Sequence, residues 1–154
     1  MKKVIGIIIW VVALFSLSGF ASAKTEESDV NKEDGKVVVL NQMDFVNKVY
    51  NYKENPREWV YEGEKPCIVD FYADWCGPCR VMSPILKDLA EEYKNDIIVY
   101  KINVDKNREL ARAFGIRSVP TLLFIPAEGI PMINEGALPK GTLVQQIKTF
   151  LLQE

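Results

Sequence analysis

Two cysteines, Cys76 and Cys79, stand in "FYADWCGPCR", separated only by Gly77 and Pro78 and placed directly after an apolar run. A pair at this spacing can clamp a metal, staple the chain, or carry electrons reversibly. The composition narrows the choice. The chain has no histidine and only three cysteines, whereas a closed tetrahedral zinc site takes four Cys or His ligands. A site completed by carboxylates or shared with a second copy is the one metal arrangement left open, and Cys-His nucleophilic catalysis is excluded. As a staple the pair is poor, because closing so short a loop removes little entropy from the unfolded chain. At a strand-to-helix junction the spacing reads best as a redox dithiol.

A helix start supplies the physics that such a dithiol needs. It presents unpaired backbone N–H groups and about half a positive charge, and both favour a thiolate at Cys76. Cys79, one turn further in, falls on the same face and is expected to be the sheltered thiol. Cys76 is thus the expected nucleophile toward a disulfide, and Cys79 the residue that resolves the mixed disulfide. Gly77 and Pro78 add no bulk or charge, and Pro78 suits the first helical turn, where its missing N–H costs nothing.

The surrounding elements follow from hydrophobic period. "VVVL" (Val37–Leu40) reads as a short strand. Asn41 is a helix N-cap candidate, before Met43, Val46, Val49 and Tyr50 at helical spacing. "CIVDFYA" (Cys67–Ala73) and "IIVYKINV" (Ile97–Val104) are near-continuous apolar runs suited to strands buried on both faces. Between them a helix from Cys76 carries Met82, Ile85, Leu86, Leu89 and Tyr93 on one face, with Pro84 inside it as an expected kink. "NRELARAFG" is a short helix closed by Gly115. "TLLFI" and "MINEG" form a hairpin around "PAEG", and the last helix places Leu143, Ile147, Phe150 and Leu151 at helical spacing. The order β-α-β-α-β-α-β-β-α predicts a three-layer α/β/α sandwich around a central mixed sheet.

The 154 residues carry 19 basic and 21 acidic side chains, with no strongly basic block for nucleic acid. The N-terminus is distinctive. Lys2 and Lys3 precede the uncharged "VIGIIIWVVALFSLSGF", and "ASA" ends at Ala23, the three parts of a cleavable signal peptide over residues 1–23. Retention as an anchor is the competing reading. Cleavage would remove two basic residues and no acidic ones, taking the net charge from −2 to −4. Either way the domain is expected outside the cytoplasm, where disulfides persist, and the short basic leader points to the periplasm. Residues 24–36, "KTEESDVNKEDGK", read as a disordered polar tether, leaving one domain over residues 37–154.

"WCGPC", the "VDFYA" before it and "IRSVPTLLF" (Ile116–Phe124) together resemble the thioredoxin family, in the right order over most of the chain from Val37. The resemblance implies a thioredoxin-like fold and dithiol–disulfide exchange without a cofactor. It implies that Asp70 is a buried carboxylate taking the proton of Cys79, that Lys101 pairs with it, and that Pro120 is a cis-proline facing the dithiol. The backbone of Ser118 and Val119 would then pair with an extended client segment. Trp75 and the "EGAL" turn, with Gly136 and Ala137, would form the flat rim around the dithiol. Two features depart from the family. The connection from Lys53 to Pro66 is long and carries Trp59 and Tyr61, expected to be pinned by a buried aromatic. Cys67 is expected on the opposite sheet face from Asp70 as a core thiol.

Direction of electron flow is a separate question. Oxidase relatives of this fold place histidine where Pro78 stands, so the Gly-Pro pair implies a reducing couple. The expected activity is reduction of disulfides in client proteins by a monomer. The resemblance further suggests a transmembrane dithiol carrier as electron donor, and cysteine protection or cytochrome c maturation as roles. A disulfide oxidase or isomerase is the enzymatic alternative, and a binding subunit indifferent to its thiols is the non-enzymatic one.

Overall fold

A computed structural model describes residues 35–154. The leader and nearly all of the tether therefore lie outside the described residues. The element order is the one read from the sequence: β1 (Val37–Val39), α1 (Gln42–Lys48), β2 (Cys67–Tyr72), α2 (Gly77–Glu92), β3 (Ile98–Asn103), α3 (Arg108–Ala113), β4 (Thr121–Ile125), β5 (Met132–Glu135) and α4 (Lys140–Gln146). The final helix widens into a π-helical turn over Ile147–Leu151, which no sequence signal announced.

Among the described residues the strands form one five-stranded sheet in the order β1-β3-β2-β4-β5. The first three are parallel, β4 pairs antiparallel with β2, and β5 pairs antiparallel with β4. β2 and β3 are central and buried on both faces, which is why their sequences do not alternate. Side-chain alternation along them divides the core in two. Cys67, Val69 and Phe71 pack with Tyr100 and Ile102 beneath Phe45 of α1 and Leu110 of α3. Ile68 and Val99 pack with Leu122 and Phe124 against Met82, Leu86 and Leu89 of α2 and Leu143 of α4. Those are the three layers of a thioredoxin-like sandwich.

The helices begin where the chain supplies caps. Asn41 accepts from the Asp44 N–H at 3.0 Å, and Asp44 accepts from the Asn41 N–H at 3.1 Å, a reciprocal capping box. Phe45 in α1 and Val49 and Tyr50 directly after it are buried, so two of the four periodic residues face inward, while Val46 is half-buried and Met43 is 72% exposed. α2 is continuous across Pro84.

The connection after α1 is held by a cluster of aromatics rather than by one. Tyr50 and Trp59 have ring centroids 4.3 Å apart. Tyr50 Oη donates to the carbonyls of Asn55 and Glu58, and Tyr61 Oη donates to the Lys65 carbonyl. Phe114 sits edge-on to Phe45, Tyr50 and Tyr52, tying the loop to α3.

Candidate active site

The site is assembled where β2 ends, α2 begins and the loop before β4 comes alongside. Cys76 is the N-cap of α2, with Gly77 and Pro78 as its first two helical residues. The Cys79 backbone N–H donates to Cys76 Sγ at 3.1 Å. That bond occupies an amide the helix cannot satisfy for itself, and it aims the positive end of the helix at this sulfur. Cys76 and Cys79 are joined in a disulfide. In this oxidised state Cys76 is 3% exposed and Cys79 is 2% exposed, so exposure does not separate them. The N-cap position does.

Two residues before Tyr72, which packs against the dithiol, Asp70 is fully buried on β2 and neither of its oxygens has a hydrogen-bond partner. Burial pushes its carboxyl up to about 6, against the opposing pull of Lys101. The two residues are register partners on β2 and β3, and Lys101 Nζ stands 3.7 Å from Asp70 Oδ2. This is an ion pair beyond hydrogen-bond length. The Lys101 ammonium donates instead to Ser83 Oγ at 2.9 Å and lies 4.2 Å from the centroid of the Tyr72 ring.

The facing loop is built by the end of α3. Gly115, at φ 63°, is the C′ residue. Its N–H donates to the Arg112 carbonyl at 3.0 Å, and the Ile116 N–H donates to the Ala111 carbonyl at 2.8 Å, a complete Schellman motif. The chain then runs through Arg117 and Ser118, both exposed, to a cis Val119–Pro120 bond. Thr121 Oγ1 donates to the Ser118 carbonyl at 2.8 Å. The Gly136 N–H donates to the Pro120 carbonyl at 2.8 Å, with φ at 92°, a conformation a side chain would strain. Gly136 and the exposed Ala137 therefore flank Pro120.

Trp75 is 69% exposed, and its indole Nε1 donates to Asp105 at 2.9 Å. Asp105 is itself set by Asn103, whose Oδ1 accepts from the Asp105 N–H at 3.0 Å. Trp75, Val104, Ile116, Arg117, Ser118 and Val119 line a groove of about 110 Å³ next to the dithiol. Most of the residues singled out in the sequence thus lie around this junction, whereas Cys67, Trp59 and Tyr61 belong to the layer under α1 and α3. Ser83, Tyr72, Asp105 and Arg117 belong to it as well, and sequence reasoning passed over them. Among the described residues, no group of three or more His, Cys, Asp or Glu is placed to hold a metal.

The thioredoxin family model matches residues 36–149. The chain belongs to the thioredoxin family. A thioredoxin of Borreliella burgdorferi is 44% identical over 113 residues, covering 73% of this chain and 96% of that protein. An M-type chloroplastic thioredoxin of Spinacia oleracea is 39% identical over 115 residues, covering 74% of this chain and 64% of the relative. A thioredoxin of Porphyra purpurea is 43% identical over 96 residues, covering 62% and 89%. With the close Cys76–Cys79 pair, family membership makes the chain a thiol–disulfide oxidoreductase of the disulfide-reductase type, acting on disulfide-containing proteins. Cys67, the remaining thioredoxin-domain cysteine, is buried and unpaired on the far side of the sheet.

Proposed function

We propose that this chain is an exported thioredoxin that reduces disulfides of client proteins in the periplasm, working as a monomer. Residues 1–23 act as a cleaved signal peptide and residues 24–36 as a tether to the domain at 37–154. In each cycle the Cys76 thiolate attacks a client disulfide, forming a mixed disulfide and releasing one client thiolate. Cys79 gives its proton to Asp70 and attacks Cys76 Sγ, which releases the second client thiolate. The released thiolates take up protons from solvent, Asp70 included in the relay. Two electrons have then passed to the client, and the enzyme holds the Cys76–Cys79 disulfide. A transmembrane dithiol carrier returns it to the reduced state.

Lys101 serves in this reading as the charge partner of Asp70. Pro120, with the backbone of Ser118 and Val119, receives an extended client segment, and Trp75, Gly136 and Ala137 provide the low rim around it. The observation that carries the proposal is the Cys79 N–H directed at Cys76 Sγ at the start of α2, because it favours one sulfur as thiolate and leaving group. Pro78 in place of an oxidase histidine, in a chain without histidine, supports the reducing direction. The reduction potential tests it. A value near the roughly −270 mV of thioredoxins agrees, and one near the roughly −120 mV of a dedicated oxidase rejects it.

A further inference from the structure

Lys101 is held from two sides by groups that the dithiol chemistry does not itself require. Ser83 sits on α2 one turn beyond Cys79 and accepts from Lys101 Nζ at 2.9 Å. Tyr72, at the end of β2, presents its ring 4.2 Å from the same ammonium. An ammonium has three donors on a flexible stem, and a short charge-assisted bond to a carboxylate runs at about 2.7–2.9 Å. Lys101 stops 3.7 Å from Asp70 although the strand register puts the two residues side by side. The hydroxyl and the ring face, which attracts a cation, account for where the ammonium rests.

We infer that Ser83, assisted by Tyr72, is a positioning residue that keeps the Lys101 ammonium short of a hydrogen bond with Asp70, so that the carboxylate can take and release the proton of Cys79. The inference rests on the proposed role of Asp70 as proton acceptor. A direct bond from Lys101 would hold the carboxylate ionised and weaken it as a base. Tyr72, Cys79, Ser83 and Lys101 also line one cleft of about 270 Å³, which brings Lys101 and the two groups that hold its ammonium alongside the resolving cysteine. The other charged groups on that cleft are Asp74, from the β2–α2 connection, and Arg80 of α2. Lys36 before β1 and Lys87 of α2 line the adjoining cleft with Ser83 and Lys101.

The test is titration of the Asp70 carboxyl by carbon-detected NMR in the full chain, alongside the pH profile of turnover. In Ser83→Ala the titration midpoint is expected to fall by about half a pH unit or more, about threefold in proton affinity, and the acid limb of turnover to fall with it. Tyr72→Leu is expected to move the midpoint in the same direction, while Ser83→Thr, which keeps the hydroxyl, restores the parent value. An unchanged or raised midpoint in Ser83→Ala overturns the positioning role. A lowered midpoint with a stationary acid limb upholds that role and instead removes Asp70 as the proton acceptor.

Discussion

Cys67 and Asp70 stand three residues apart on β2 and leave the sheet on opposite faces, each fully buried. Burial raises both, the thiol up to about 12 and the carboxyl up to about 6. Their surroundings then separate them. Cys67 is sealed in the layer under α1 and α3 beside Tyr61, whereas Asp70 lies on the other face with Lys101 Nζ 3.7 Å away. One strand thus buries a thiol in one layer of the core and a carboxyl in the other.

Asp70 should make the protein less stable as pH rises. Its native carboxyl holds a proton more tightly than the unfolded chain does, from an ordinary 3.8 up to about 6. Between these values the native state binds more protons, so stability falls with rising pH and levels off above the upper one. Asp70→Asn, which never ionises, is expected to exceed the parent at pH 8 by up to roughly 3 kcal/mol, and by little below about pH 4. Urea denaturation at both pH values measures the gap. An equal gap at both would contradict the burial of a charge at this position.

Cys79→Ser should accumulate mixed disulfides at Cys76, because attack can occur and resolution cannot. Non-reducing electrophoresis with exposed disulfide substrates reads the adducts, and reductant should release them. Cys76→Ser should form none. Adducts in the second variant but not the first would reverse the assignment of the two sulfurs.

Trp59 is expected to matter for stability and not for redox chemistry. Its ring stacks on Tyr50 at 4.3 Å and its indole N–H has no partner. Trp59→Ala should cost about 3 kcal/mol in denaturant unfolding, the lower end of the range for such truncations because Trp59 is half-buried, while Trp59→Phe, which keeps a ring and removes the unpaired donor, should stay within about 1 kcal/mol of the parent. Both should keep the parent reduction potential. A shifted potential in either would tie this loop to the dithiol.

Much of the fold is legible in linear sequence because its signals are local. Periodicity, Asn41 as a cap and Gly115 as a C′ residue mark elements within a few residues of themselves, and the strands and helices of the described residues follow in order. Met43 misled because a period marks a face but not which of its members reach the core: Val49 and Tyr50 are buried, and Phe45, outside that set, takes the inward place in α1. In the site, the Cys76–Cys79 pair at a helix start and the burial of Asp70 on the strand before it were legible from one strand-to-helix junction. Ser83, Tyr72 and Asp105 were not. Their meaning arises from distance across elements, as when an α2 hydroxyl meets a β3 lysine, and no spacing along the chain encodes that. Nor does any propensity distinguish a Lys101 bonded to Asp70 from one drawn aside.

The most direct test is the pH dependence of alkylation at each cysteine of the reduced, folded protein, resolved by mass spectrometry. Cys76 is expected to react with a midpoint clearly below the ordinary thiol value of about 8.5, while Cys67 stays unmodified until the protein unfolds. A Cys76 midpoint at or above that ordinary value, or alkylation no faster than at Cys67, would contradict a thiolate held by the start of α2.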